Sequence, residues 1–136
     1  MKKYAEPYFI EFPKIGNSAV GYISVAEAQK HVPFEIRRVF WTYFTPEELT
    51  RGHHAHYHTQ QVLIAVAGKI NVHTEMPDGS KSVYTLEKPN VGIFLPPHCW
   101  HYMEYSHTAV QLVLASAVYD ENDYIRDYNI YKQVYV

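Results

Sequence analysis

The chain has 136 residues, of which 47% are hydrophobic and 19% are charged, and its formal net charge is −2. A chain of this length and composition can bury a core of its own, so we expect residues 1–136 to form a single domain. Acidic and basic residues nearly balance, and no basic cluster occurs. This argues against nucleic-acid binding, which needs grouped Lys and Arg to neutralise phosphates.

One cysteine, Cys99, has no partner for an intramolecular disulfide. The basic start at residues 1–3 is similar to the opening of a signal peptide, but Glu6, Pro7 and Glu11 interrupt the apolar stretch that would have to follow. No run approaches the ~20 apolar residues of a membrane span. We therefore expect a cytoplasmic protein with no membrane partner.

Short apolar runs separated by Pro, Gly and Asn predict an all-β protein. The nine predicted strands cover residues 8–12, 20–25, 36–44, 61–67, 69–74, 82–87, 92–95, 101–105 and 109–115. Between two of them, Pro77-Asp78-Gly79-Ser80 has the composition of a hairpin turn, and Gly68 indicates a tight turn or a bulge. Many short strands at regular spacing are typical of a sandwich or barrel.

The strongest helical pattern lies at the end of the chain, in residues 120–132. Tyr124, Tyr128 and Tyr131 recur on one helical face, and Asp120 is a residue type that favours N-cap positions. A second, weaker helical pattern occupies residues 25–30. The sequence thus predicts an all-β barrel with a short C-terminal helix lying on it.

The most informative segment is Arg51-Gly52-His53-His54-Ala55-His56-Tyr57-His58, with four histidines in six positions. In an extended chain, residues two apart point the same way. His54, His56 and His58 are therefore expected on one face, with His53 on the other. A histidine-rich surface loop would have the same composition.

The continuation of this segment favours a binding site over a surface loop. From His54 and His56, the spacing to Gln61 and then to Gly68 matches the first sequence motif of cupin barrels. The second cupin motif follows at Pro89, Gly92 and Pro96, with either His98 or His101. In metal-binding cupins the position of Gln61 is usually a glutamate, and a neutral amide binds a divalent ion far more weakly. We therefore expect no metal and no other cofactor, and we interpret the two histidines as proton carriers, because imidazole titrates nearest neutrality.

Together these segments resemble the nucleotide-sugar 3,4-ketoisomerases, the WxcM-like C-terminal cupin family. The matching stretches are residues 33–39, 51–56, 61–64, 89–92, 100–103, 114–116 and 119–126. The most specific features are the Arg-Gly-x-His-Ala-His segment and the Tyr-Asp-x-x-Asp-Tyr-Ile-Arg ending. The resemblance implies a jelly-roll cupin barrel and a homodimer in which an N-terminal strand is exchanged between subunits.

The same resemblance implies a metal-free enzyme that enolises dTDP-4-keto-6-deoxy-D-glucose and yields its 3-keto isomer. That product would feed the synthesis of 3-amino-3,6-dideoxyhexoses for bacterial surface glycans such as lipopolysaccharide O-antigen. His54 and His56 are the implied acid–base centre, and which of them is the base stays open. The substrate contacts expected around them are Arg38, Arg51, Gln61, Tyr43, Trp100 and His101. In this scheme the two arginines anchor the nucleotide, Arg51, Gln61 or a tyrosine stabilises the oxyanion, and the tryptophan or a tyrosine stacks on thymine.

Three other functions fit the same barrel: a dTDP-sugar 3,5-epimerase, a metal-dependent cupin enzyme and a non-catalytic binder of sugar nucleotides. The nucleotide and the final glycan also stay open. Two departures from the family pattern concern the product: residues 16–22 lack its Asp-x-Arg-Gly segment, and Phe40 and Trp41 replace its paired tyrosines. The configuration at C4 therefore stays open, with the galacto product slightly favoured.

Overall fold

The computed structural model of the chain describes residues 4–134. Its strands are β1 (Tyr8–Glu11), β2 (Lys14–Asn17), β3 (Gly21–Ser24), β4 (Arg38–Tyr43), β5 (Thr50–His56), β6 (Gln61–Ala67), β7 (Ile70–Glu75), β8 (Lys81–Leu86), β9 (Val91–Leu95), β10 (Trp100–Tyr105), β11 (Val110–Ala115) and β12 (Tyr124–Ile125). A 3₁₀ turn spans Glu121–Asp123, and helix α1 spans Tyr128–Val134. Within the described residues, no helix has the length and apolarity needed to cross a bilayer.

The strands form two five-stranded antiparallel sheets and a separate hairpin. One sheet has the order β1-β9-β6-β11-β4, the other has the order β12-β5-β10-β7-β8, and β2 pairs with β3. The inner faces of the two sheets share one apolar cluster, which includes Leu63, Ile70, Ile93, Met103 and Val113. Each of the nine predicted strands is found within two residues of its expected bounds, and the all-β barrel is confirmed.

Strand β6 is buried on both of its faces. Leu63 points into the cluster between the sheets, whereas Val62 and Ile64 point outward into a second cluster with Phe34 and Phe94. This second layer covers the outside of the first sheet. It explains why β6 is a continuous apolar run rather than an alternating one.

The turn predictions are confirmed. The backbone N–H of Met76 donates to the carbonyl of Ser80 at 2.9 Å, closing the hairpin between β7 and β8, and Gly79 has a left-handed φ of 86°. Gly68 joins β6 to β7 with a φ of 70°.

The continuous helix predicted over residues 120–132 is wrong in its first half. Asp120 does cap a turn, since its side chain accepts a hydrogen bond from the backbone N–H of Asn122, but the turn is a single 3₁₀ turn. The chain then pairs with β5 as strand β12, and α1 begins at Tyr128. Pairing prevails here because the edge of β5 offers unpaired backbone donors and acceptors that a helix could not satisfy.

The weaker helical pattern of residues 25–30 is also wrong. Gln29 has a φ of 62°, a left-handed value that a right-handed helix does not contain. Its backbone N–H donates to the carbonyl of Val32 at 2.8 Å, and Ala28 bridges to Val32. The segment is a tight turn that brings Val32 and Phe34 into the outer cluster.

Replacing Gly68 by alanine should destabilise the fold more than the same change at Gly79. Both positions have left-handed φ angles, so alanine costs about 1–2 kcal/mol at either. A Cβ at position 68 would also lie 2.6 Å from the Cα of Ala109, whereas a Cβ at position 79 would have nothing within 4 Å. Urea unfolding of Gly68→Ala and its control Gly79→Ala measures the difference, and equal losses of unfolding free energy would contradict the crowding at Gly68.

Candidate active site

Strand β5 contains a β-bulge immediately before His54. The register against β10 shifts between Gly52 and His54, so His53 is the extra residue, and both Gly52 and His53 have left-handed φ angles of 101° and 58°. In a regular strand Arg51 and His54 would point to opposite faces. Across the bulge, both side chains line one cavity between the sheets. A Cβ at position 52 would lie 3.0 Å from the carbonyl oxygen of His101, which explains the glycine.

Three imidazoles meet beside this bulge. The ring centroid of His54 lies 5.0 Å from that of His56 and 4.8 Å from that of His101, and the latter two are 6.1 Å apart. The Nδ1 of His101 donates to the backbone carbonyl of Cys99 at 2.9 Å, so in the neutral ring Nε2 has a free lone pair. His58 does not join them, because β5 ends at His56 and the next turn leaves this side chain exposed.

Tyr124 of β12 covers the first two histidines. Its ring centroid lies 5.0 Å from that of His54 and 4.5 Å from that of His56. The guanidinium of Arg126 lies 4.2 Å from the centre of the Tyr124 ring and donates to both carboxylate oxygens of Glu121, at 2.6 and 3.0 Å. The segment that follows β11 therefore closes the site with an aromatic ring and a cation.

Arg38 brings a second guanidinium to the site from β4 of the other sheet. It lies 5.3 Å from the Phe40 ring and 5.6 Å from the Tyr119 ring. Its charge and that of Arg126 both lower the pKa of His56, which places two cations within electrostatic reach of this imidazole. An anionic group is the natural ligand for such an edge.

Asp123 fixes the closing segment to the end of β5. Its carboxylate is buried and accepts hydrogen bonds from the backbone N–H groups of His58 at 2.8 Å and Thr59 at 3.1 Å, and from the Thr59 hydroxyl. In return, the backbone N–H of Tyr57 donates to the carbonyl of Asp123 at 2.9 Å. This carboxylate therefore holds Tyr124 in register beside His56.

Burial keeps the three imidazoles uncharged at neutral pH. It lowers the pKa of His54 to about 2, with further lowering by His101 and His56. Burial likewise lowers the pKa of His56 to about 3, reinforced by His101 and Arg38, and that of His101 to about 4. Each ring can therefore accept a proton at neutral pH without first losing one.

The buried polar atoms without a partner are concentrated at this site. Among residues 4–134, the buried side-chain nitrogen and oxygen atoms that lack a hydrogen bond are Nδ1 of His54, Nε2 of His56 and Nε of Arg38. Buried polar groups in proteins are nearly always satisfied. Three unsatisfied nitrogens in one place indicate a surface that is completed by a ligand.

The structure brings most of the predicted site residues together. Arg51, Gln61 and His101 line a cavity of about 100 Å³ together with His54, and Arg38 lies on the side of His56. Gln61 is 4% exposed and lies at the start of β6, in the sheet opposite the one that contains His54.

Two predicted contacts lie elsewhere. Tyr43 is at the opposite end of β4 from Arg38, roughly 16 Å away at the rise of an extended strand, and its ring packs on Phe44. Trp100 alternates with the inward-facing His101 on β10, so it points to the outer side and packs there against Tyr131. Neither side chain reaches the histidines.

Sequence reasoning missed the roles of Tyr119, Glu121, Tyr124 and Arg126. The signal was available, since these residues belong to the Tyr-Asp-x-x-Asp-Tyr-Ile-Arg ending that distinguishes the chain. The spacing of its tyrosines predicts one face of a helix. That interpretation places Tyr124 on the helix, whereas the structure places it on strand β12, paired with β5. Within residues 4–134, no three His, Cys, Asp or Glu side chains are grouped so that they could hold a metal ion.

Comparison with known proteins identifies the family of the chain. The sequence model of the family described as FdtA: WxcM-like, C-terminal, matches residues 5–135. A TDP-4-oxo-6-deoxy-alpha-D-glucose-3,4-oxoisomerase from Aneurinibacillus thermoaerophilus is 40% identical over 126 residues, covering 91% of this chain and 88% of that protein.

Solved structures give the same result. QdtA, a sugar 3,4-ketoisomerase from Thermoanaerobacterium thermosaccharolyticum in complex with TDP, superposes with a TM-score of 0.90 at 34% identity, covering 95% of this chain and 93% of that chain. WlaRB, a TDP-quinovose 3,4-ketoisomerase from Campylobacter jejuni, superposes with a TM-score of 0.87 at 31% identity, covering 93% and 97%.

A jelly-roll barrel with uncharged imidazoles facing its interior, two of them with an unpaired ring nitrogen, defines an acid–base enzyme of the cupin type. The chain belongs to the WxcM-like C-terminal family, and it is an isomerase. The predictions of the family, the fold class and the enzyme class are confirmed, and the predicted 3,4-ketoisomerase function agrees with the names of these three relatives.

The buried imidazoles should make the fold sensitive to mild acid. Below pH 6.5 the unfolded chain protonates these histidines while the folded protein does not, so unfolding takes up protons and the free energy of unfolding falls as pH decreases. The window extends from pH 6.5 to about 4, where His101 begins to titrate in the fold. Each imidazole contributes a slope of up to about 1.4 kcal/mol per pH unit.

Urea unfolding between pH 7 and 5 measures this slope. The double variant His54→Asn/His56→Asn should have a shallower pH dependence than the native chain, because two of the titrating groups are gone. A native slope no steeper than that of the double variant would show that these imidazoles are protonated in the folded protein.

Proposed function

We propose that this protein is a dTDP-sugar 3,4-ketoisomerase that converts dTDP-4-keto-6-deoxy-D-glucose to a dTDP-3-keto-6-deoxyhexose by proton transfer through His54 and His56. The observation that carries the proposal is the convergence of unpartnered Nδ1 of His54, Nε2 of His56 and Nε of Arg38 at one buried place. These atoms offer two proton acceptors and one cationic donor, which are the groups that enolisation of a nucleotide-linked ketosugar requires.

The reaction needs two proton transfers at carbon, from C3 and to C4, and two at oxygen, to O4 and from O3. One imidazole takes the C3 proton, which is acidic because it lies next to the C4 ketone, and the electron pair of the broken C–H bond becomes a C3=C4 double bond. The C4 oxygen then carries the charge of the enediolate and takes up a proton to become the C4 hydroxyl. Loss of the C3 hydroxyl proton forms the C3 ketone, and C4 receives a proton to complete its new C–H bond. The sugar neither gains nor loses atoms, so no redox partner is needed.

Polar donors at the cavity complete this chemistry. The amide of Gln61 and the guanidinium of Arg51 lie in the same cavity as His54, where they can donate hydrogen bonds to the developing oxyanion. Each such donor is typically worth a factor of 10²–10³ in kcat.

The charged edge of the site is suited to binding the nucleotide. Arg38 and Arg126 provide two guanidiniums, the group that pairs best with phosphate oxygens. Arg126 donates to Glu121, so a diphosphate would compete with this carboxylate for the same guanidinium. The exposed Tyr119 ring beside Arg38 offers a stacking surface for thymine in place of Trp100, which faces away.

The lowered pKa values favour the neutral imidazoles that a base requires, but they also make each ring a weak base. Bringing a diphosphate close to His54 and His56 would raise both pKa values, because negative charge stabilises the imidazolium and offsets the neighbouring cations. Substrate binding would therefore activate its own base. Which of the two rings acts first stays open.

The competing functions differ in what they demand of this site. A 3,5-epimerase must also remove the C5 proton, a metal-dependent cupin needs a ligand set around an ion, and a binder needs no turnover. The named relatives with 31–40% identity are 3,4-ketoisomerases, which supports the isomerase. A cytoplasmic enzyme whose product serves amination to 3-amino-3,6-dideoxyhexoses, for lipopolysaccharide O-antigen or another surface glycan, fits this chemistry.

A homodimer of single-domain subunits, built from residues 1–136, is part of the proposal. The β2–β3 hairpin exposes Ile15, Tyr22 and Ile23, and β4 exposes Trp41 on its outer face. Exposed apolar rings and branched side chains of this kind are typical of surfaces covered by a partner. Strand β1 pairs with β9 of its own chain, and an exchanged strand would make the same pairing with the partner.

Light scattering coupled to size exclusion should give about twice the chain mass of 15.9 kDa. The variant Trp41→Glu places a charge on this face and is expected to shift the protein toward monomer, while Val83→Glu on the exposed face of β8 should not. A native monomer at micromolar concentration would contradict the dimer.

The decisive assay supplies dTDP-4-keto-6-deoxyglucose in deuterated water and follows the products by NMR. The proposal predicts a 3-keto product with deuterium at C4, and deuterium at C3 of recovered substrate, because both carbons pass through the enediolate. Deuterium at C5 would identify an epimerase instead. Binding without exchange would identify a non-catalytic binder, and turnover abolished by a chelator and restored by a metal would identify a metal enzyme.

The histidine variants test the same mechanism. His54→Asn and His56→Asn should each lower kcat by about 10²–10⁴-fold, the usual worth of acid–base assistance, while the Kd for dTDP changes little. The matched control is His107→Asn, in an exposed turn before β11. Retention of full turnover by both His54→Asn and His56→Asn would remove these residues from the mechanism.

A further inference from the structure

On the outer face of the second sheet, three aromatic rings from neighbouring strands form a continuous stack. The ring of His53 on β5 lies 4.9 Å from the ring of Tyr102 on β10, with an interplanar angle of 9°. The other neighbour of Tyr102 is His73 on β7, at 4.5 Å and 5°. We call these three residues the outer stack.

Both ends of the outer stack are anchored by polar contacts. The Nε2 of His53 lies 2.7 Å from the hydroxyl oxygen of Thr50, three residues earlier on the same strand. The Nε2 of His73 makes a short contact with a carboxylate oxygen of Glu104 on β10. The stack therefore spans three strands and is fixed to the sheet at each end.

The outer stack contains the residue that forms the bulge. His53 is the extra residue of β5, and its φ of 58° is a left-handed value that residues other than glycine seldom adopt. Glycine accommodates the φ of 101° at position 52, but no local preference holds His53, which has a Cβ, at its φ of 58°. Ring stacking and the Thr50 contact hold His53 where the bulge needs it.

The geometry of the bulge decides where the site residues point. Arg51 and His54 are three positions apart, so a strand that lost the bulge would turn one of them out of the cavity. One side of β5 would then slip by one residue against β10, and the chain could still fold because the outer stack lies outside the three apolar clusters.

We propose that the outer stack of His53, Tyr102 and His73 is a positioning device, which locks the bulge of β5 so that Arg51 and His54 both face the substrate cavity. None of its rings touches the sugar in this scheme. They act through the backbone of Gly52 and His53. The inference deepens the proposed isomerase, because it assigns the part of the molecule that sets the direction of its acid–base group.

The test uses variants that dismantle the stack without forbidding the fold. His53→Asn keeps a residue type that tolerates left-handed φ but removes the ring, and Tyr102→Val keeps a strand-forming residue but removes the central ring. Both should lower kcat by about 10²–10⁴-fold, as expected when an acid–base group turns away from its substrate, with a much smaller change in KM. Tyr102→Phe, which retains the ring, should restore most of the kcat lost in Tyr102→Val.

A second measurement reads the position of His54 directly. The ¹⁵N shifts of its imidazole at pH 5.5 should report a neutral ring in the native chain and a largely protonated, water-exposed ring in His53→Asn and Tyr102→Val. His107→Asn is the matched control for one more histidine-to-asparagine change. Thermal unfolding accompanies each variant, so that a kcat loss in a fully folded protein is separated from instability.

The outcomes separate the two proposals. Native kcat and a neutral His54 in both stack variants would overturn the positioning role, even though the isomerase is active. If the native protein turns over no ketosugar, the isomerase proposal fails, and the ¹⁵N spectra still decide whether the stack orients His54. If a stack variant and the separate variant Tyr102→Phe both unfold below the assay temperature, the rings serve overall stability instead.

Discussion

Burying three imidazoles side by side constrains everything around them. His54, His56 and His101 occupy an interior where a charged ring would lack water, so burial lowers the pKa of each, and His101 lowers the pKa of the other two further. Neutrality has a chemical use, because an uncharged imidazole can accept a proton at any moment. It also has a structural cost: nitrogens without partners remain inside the barrel.

The two sides of the site are supplied by very different parts of the chain. One wall is β5 with its bulge, which turns Arg51 and His54 to the same face. The other wall is the segment from Tyr119 to Arg126, which the buried carboxylate of Asp123 fastens to the end of β5. The barrel itself is a conventional antiparallel frame. What makes it a site is the pair of local irregularities at which these walls meet.

The sequence was sufficient to predict the frame and most of the cluster. Alternation and turn residues predict nine strands, and the histidine spacing alone predicts that His54, His56 and Gln61 belong to one site. The sequence alone could not predict which residues contact one another across the fold. Tyr124 shows helical spacing to Tyr128 and Tyr131, yet the open edge of β5 recruits it as a strand. Trp100 was placed at the site on residue type alone, although its alternation with His101 sends it to the opposite side of β10.

The bulge shows the same limit from another direction. Counting by two from His54 assigns His56 correctly, but counting back by three assigns Arg51 to the wrong face, because periodicity assumes an unbroken strand. The adjacent Gly52 hinted at the interruption. Its left-handed φ and the tight approach of the His101 carbonyl become visible only in three dimensions.

The bond between Asp123 and the backbone of His58 joins residues 65 positions apart in the chain. During synthesis, which proceeds from the N-terminus, β5 leaves the ribosome long before the segment that must cover its histidines. The barrel strands can find one another in the meantime, but the pocket stays open on one side until the segment up to Arg126 has been made. A chain that ends before Asp123 would carry the histidines without the wall that shelters them.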